Sequence, residues 1–128
     1  MAKKILVIDD EPDLLFIVSH GLKKRGYEVF GGRDGREVLA LTPQLMPDLI
    51  ILDLGLPVMN GDEVARLFKD DAKLKHIPII LISSIIGALN EKFAASGAEA
   101  FLYKPFEFDE LLDLVNKYCG PAGPPAAP

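Results

Sequence analysis

Three short stretches constrain this chain more than anything else in it. Residues 5–8 read Ile-Leu-Val-Ile, 49–52 read Leu-Ile-Ile-Leu and 79–82 read Ile-Ile-Leu-Ile. Each runs straight into a polar residue: Asp9 and Asp10, then Asp53, then Ser83. An unbroken apolar run of this length, bounded by turn residues, reads as a strand buried on both faces. Strands of that kind need helices above and below a parallel sheet. Their polar ends then gather along one edge, where open α/β sheets bind ligands.

The intervening segments supply the helices. Pro12 opens one that carries Leu14, Leu15, Val18 and Leu22 on one side, has Lys23, Lys24 and Arg25 near its end, and stops at Gly26. Residues 27–30 predict a short strand closed by Gly31 and Gly32. A helix over 33–41 follows, with Val38, Leu39 and Leu41 inward, and Pro43 and Pro47 bracket the loop to the central strand. Asn60 and Gly61 mark a turn. Residues 62–71 predict a helix with Val64, Leu67 and Phe68 on one face. Residues 85–90 read as an unusually apolar loop, 91–96 as a short helix capped by Gly97, and 100–103 as a last strand ended by Lys104 and Pro105. The final helix, 107–118, turns Phe108, Leu111, Leu112 and Val115 inward. Five strands alternating with five helices make a doubly wound α/β fold.

The bulk properties narrow the function. At 128 residues the chain holds one domain with a real core. A net charge of −5 disfavours direct nucleic-acid binding, which needs an excess of Lys and Arg. One cysteine, Cys119, excludes an internal disulfide and suits a reducing compartment. The apolar run after Met1 is too short for a signal peptide or membrane span, so a cytoplasmic location without membrane association is expected. Residues 1–119 form the expected domain. Residues 120–128, rich in Pro, Gly and Ala, read as a disordered tail or a truncated linker.

On a parallel sheet, Asp9, Asp10, Asp53, Ser83 and Lys104 fall on one edge. Three carboxylates together repel one another and raise each other's pKa. A hard divalent cation such as Mg²⁺, which takes oxygen ligands, resolves the repulsion, and a lysine offsets it further. The set resembles a phosphoryl-transfer site in which one aspartate is the nucleophile. Plainer readings stand beside it. Asp10 would serve as a cap for the first helix with Asp13 as its reciprocal partner, Ser83 as a turn serine, and Phe101 as core. A phosphatase of the haloacid dehalogenase type would place a second aspartate two residues after the nucleophile, where this chain has Gly55. A flavin-phosphate binder would not place acids after the first strand.

Taken together, Asp9 and Asp10, Asp53, Pro57, Gly61, Ser83, and Lys104 with Pro105 and Phe106 resemble the receiver domain of two-component response regulators (the CheY-like superfamily), over about residues 3–118. The resemblance implies a five-stranded parallel sheet in the order 2-1-3-4-5, flavodoxin-like, with helices on both faces. It implies that Asp53 accepts a phosphoryl group from a sensor histidine kinase or phosphotransfer protein. Asp10 would bind Mg²⁺ directly and Asp9 mostly through water, with Asp53 and the Gly55 backbone carbonyl completing the ligands. Ser83 and Lys104 would hold phosphoryl oxygens, Phe101 would be the aromatic switch, and the peptide before Pro105 would often be cis. The face of helix 4, strand 5 and helix 5 would change partner affinity. That partner is an output protein, a C-terminal output domain or a second copy in a phosphorylation-dependent homodimer. Such a domain is no enzyme beyond its own phosphorylation and dephosphorylation; the alternative is a pseudo-receiver that signals by binding alone. Ser83 stands where threonine is commoner, and the stretch to Lys104 is one residue shorter than usual. Gly55 and Ile85 lack the polar side chains that influence hydrolysis in relatives, which implies a long-lived phosphoryl state.

Overall fold

A computed structural model describes residues 2–57, 59–84 and 86–121, with the backbone alone for 86–90. Ten elements alternate: β1 (Lys4–Ile8), α1 (Pro12–Lys24), β2 (Glu28–Gly32), α2 (Gly35–Leu45), β3 (Leu49–Asp53), α3 (Gly61–Lys69), β4 (Ile79–Ser83), α4 (Ile86–Ser96), β5 (Ala100–Tyr103) and α5 (Phe108–Tyr118). All pairings are parallel and the strand order is β2-β1-β3-β4-β5.

The three apolar runs lie at the centre of the sheet with no exposed surface. Alternate side chains feed two cores. Ile5, Val7, Leu49, Ile51, Ile80 and Ile82 pack with Val18 and Leu22 of α1 and Leu111 and Val115 of α5. Leu6, Ile8, Ile50, Leu52, Ile79 and Leu81 pack with Val38 of α2 and Val64, Ala65 and Phe68 of α3. Each such side chain contributes about 1.5–3 kcal/mol by leaving water. With both faces covered, the sheet leaves its carboxyl edge as the place where strand ends meet solvent.

Four local expectations are corrected. The second strand does not stop at its glycines: Gly31 and Gly32 pair with Val7 and Ile8. A Cβ on Gly32 would lie 2.6 Å from Ile8 Cδ1, so close packing rather than a turn explains that glycine. The second helix runs through exposed Pro43 to Leu45, where Met46 ends it in a left-handed conformation. Leu67 is 48 % exposed and faces away from the core; Ala65 takes the inward place instead. The segment expected to be a loop before residue 91 is the start of α4, from Ile86. Ile85 and residues 122–128 lie outside the described residues.

Candidate functional site

The site is assembled from four loops at the carboxyl edge of the sheet. Asp9 follows β1, and its backbone N–H donates to Gly32 O at 3.1 Å, tying it to the end of β2. Its carboxylate is wholly buried. Oδ1 accepts the Glu11 N–H at 2.8 Å, the local turn that aspartate favours. Oδ2 has no hydrogen bond of good geometry and is held by the charge of Lys104 Nζ at 2.8 Å. Asp10 is exposed beside it. The N-cap of α1 is Glu11 and not Asp10, and no side chain caps that helix, so the plain capping reading of Asp10 does not hold.

Asp53 is the last residue of β3 and is 6 % exposed. Its Oδ1 accepts the Gly55 N–H at 3.2 Å, and its Oδ2 lies 3.4 Å from Lys104 Nζ. Burial, followed by the charge of Asp9, pushes its carboxyl above the ordinary value, although Lys104 and the Gly55 N–H pull the other way. Behind it, the chain turns tightly: Gly61 N–H donates to Leu54 O at 2.9 Å, and Leu54 N–H donates to Ile82 O at 2.8 Å.

Lys104 arrives from the far side. Between β1 and β5 stand two strands, about 14 Å in all. The Lys104 side chain is 9 % exposed, and its ammonium comes within ion-pair distance of Asp9 and Asp53. Its backbone N–H donates to Ser83 O at 2.8 Å, and the peptide to Pro105 is cis, as the resemblance implied. Burial alone would lower the ammonium pKa, but Asp9, Asp53 and Glu11 outweigh it and hold the group above its ordinary value. Ser83 closes β4, is 1 % exposed and stands beside Tyr103 in the ladder.

One oxygen from each of Asp9, Asp10 and Asp53 lies within 4.8 Å of the others. All three donors are hard oxygens, and one buried oxygen lacks a hydrogen bond. That donor set fits Mg²⁺. Gly55 lies in the loop after Asp53, exposed, with open space where a side chain would be.

Phe101 is half-buried on β5. Phe93 of α4 packs edge-on against it at 4.9 Å between ring centres, and Tyr103 does so at 5.5 Å. Sequence reading named Phe101 without these two neighbours. It also passed over Glu11, whose Oε1 sits 3.2 Å from Lys104 Nζ. The periodicity of β5, with residues 101 and 103 on one face, could have found Tyr103. Nothing local signals that Glu11 meets a lysine 93 positions away.

Known proteins resemble this chain along most of its length. Residues 5–116 match the family model of the response regulator receiver domain. The chain is 39% identical over 115 residues to the DNA-binding dual master transcriptional regulator RpaA of Synechocystis, covering 88% of this chain but 47% of that protein. It thus spans about half the length of that relative. Among solved structures, chemotaxis response regulator CheY4 of Vibrio cholerae superposes with a TM-score of 0.85 at 33% identity, over 92% of this chain and 99% of that one. The receiver domain of sensor histidine kinase PA1611 from Pseudomonas aeruginosa, which has a magnesium ion coordinated in its active site cleft, superposes at 0.87 with 25% identity, over 94% and 99%.

Proposed function

Because the chain belongs to the response regulator receiver family, a family of two-component signalling domains rather than classical enzymes, we propose that it is switched by phosphorylation of Asp53. The observation that carries this reading is the meeting of Asp9, Asp10 and Asp53 with Lys104 at one point of the sheet edge. A carboxylate oxygen of Asp53 attacks the phosphorus of a phosphohistidine on a sensor kinase or phosphotransfer protein. The P–N bond breaks, the imidazole leaves with the electron pair, and an acyl phosphate remains on Asp53. Lys104 and the Ser83 hydroxyl hold phosphoryl oxygens as charge shifts onto them.

Asp10 would hold Mg²⁺ directly in this reading and Asp9 through water, with Asp53 and the Gly55 carbonyl completing the protein ligands; the magnesium ion in the active site cleft of the PA1611 receiver supports the choice of metal. When bound, the cation supplies positive charge that lets an anionic phosphoryl group approach three carboxylates. Loss of the group is attack by water on phosphorus, with Asp53 regained as carboxylate. Neither Gly55 nor Ile85 offers a polar group to orient that water, so we expect a long-lived phosphoryl state.

The domain is taken as residues 1–119, with 120–128 as a tail or linker. Its new charge draws Ser83 and Phe101 inward and alters the face of α4, β5 and α5, where an output domain, another protein or a second copy binds. A kinase partner of this kind places it in the cytoplasm. No described helix is long and apolar enough to cross a membrane.

Intact mass after incubation with acetyl phosphate tests the proposal. One Mg²⁺-dependent phosphoryl adduct is expected on the wild type and none on Asp53→Ala. A wild type that gains no adduct overturns it and leaves a pseudo-receiver.

A further inference from the structure

Three carboxylates crowd the ammonium of Lys104: it donates a hydrogen bond to Glu11 Oε1, while Asp9 and Asp53 hold it as ion pairs. The distances are 2.8 Å to Asp9 Oδ2, 3.2 Å to Glu11 Oε1 and 3.4 Å to Asp53 Oδ2. A phosphoryl oxygen on Asp53 must compete with these carboxylates for the ammonium, and the hydrogen bond it would contest is the one held by Glu11. Asp9 is wholly buried and cannot swing out into bulk solvent. Asp53 is the group being modified. Glu11 differs from both: its side chain is 61 % exposed and can release into solvent at little cost.

We propose that Glu11 is a positioning residue that holds Lys104 in the resting domain and competes with the phosphoryl group for it. The inference rests on the phosphoacceptor reading given above. Glu11 works twice in the same direction. Its carboxylate occupies the donor the phosphoryl oxygen needs, and its charge opposes the arriving anion at the mouth of the site. Neutralising it while keeping its shape therefore favours the phosphorylated state. Substitution leaves the fold intact, because Glu11 makes no side-chain cap bond to α1 and most of its surface is in water.

The test is the affinity for beryllofluoride, a non-covalent mimic of the phosphoryl group, followed by ¹⁹F NMR at saturating Mg²⁺ so that any change in metal affinity drops out. Wild type, Glu11→Gln and Asp13→Asn are compared; Asp13 is an exposed acid in the first turn of α1 and controls for net charge. Glu11→Gln is expected to bind about two- to fivefold more tightly than wild type, the size of an exposed ion pair. The gap should close as ionic strength rises, and Asp13→Asn should match wild type. Equal or weaker binding by Glu11→Gln overturns the inference alone, as does an equal gain in Asp13→Asn. A wild type that binds no beryllofluoride overturns the phosphoacceptor reading beneath it.

Discussion

At Asp53 the electrostatics fix a measurable sign. Its carboxyl pKa is raised by burial first and by Asp9 second. A group whose folded value exceeds its unfolded value contributes stability below the unfolded value and loses it as pH rises through the folded one. At neutral pH the ionised carboxylate therefore works against folding. Asp53→Asn is expected to raise the melting temperature at pH 7 in metal-free buffer, by an amount that shrinks as pH falls into the ordinary carboxylate range. Added Mg²⁺ should stabilise wild type more than the variant, since only wild type keeps the full ligand set. Calorimetry across pH, with and without Mg²⁺, reads both effects. The residues of this cluster were legible in the sequence because each ends an apolar run, and run ends share an edge in a parallel sheet. Glu11 was not legible, because its role depends on a side chain reaching across the sheet from β5.

The elements were legible where burial speaks with one voice. β3 and β4, buried at every position, appear in the sequence as uninterrupted apolar runs. Reading failed where a local preference was outweighed. Pro43 usually ends a helix, yet here it lies on the exposed side of α2, and the helix continues for two more residues past it. The start of α4 carries Ile86 and Gly87, both poor helix formers, and so passed for a loop. Gly61 was read as part of a turn and is instead the first residue of α3, placed against the end of β3. A Cβ there would overlap the Asp53 carbonyl oxygen and stand 3.0 Å from the Asp53 carbonyl carbon and Leu54 Cα. Both neighbours are backbone and cannot rotate away. Gly61→Ala should cost about 1–3 kcal/mol in denaturant unfolding. It should also weaken beryllofluoride binding, because relief of the overlap displaces Asp53.

Across the whole molecule, the two edges of the sheet are built differently: the acidic cluster lies at the carboxyl edge, and a hydroxyl tie lies at the other. At the amino edge, the Tyr27 hydroxyl joins the start of β2 to the end of α5, within 2.8 Å of Gly120 O and 3.1 Å of Asn116 Oδ1. Tyr27→Phe should lose about 1 kcal/mol of unfolding free energy while leaving beryllofluoride affinity unchanged. A change in affinity would show the two edges to be coupled. The fold order itself was legible only through the family resemblance. Alternation of strands and helices gives a parallel sheet, but periodicity does not say which strand is next to which.

The sheet is also unequal from side to side. β3 and β4 have neighbours on both flanks and no exposed residue, whereas β5 pairs with β4 alone and all four of its residues are half-buried. Asp53 thus ends a strand paired and buried on both flanks, whereas Lys104 follows a half-buried edge strand. In the proposed switch, a change of charge between them would act first on the edge strand, the less enclosed of the two. That strand is also an outer flank of the sheet, so in the proposed switch a partner would meet the same side that answers to the chemistry within.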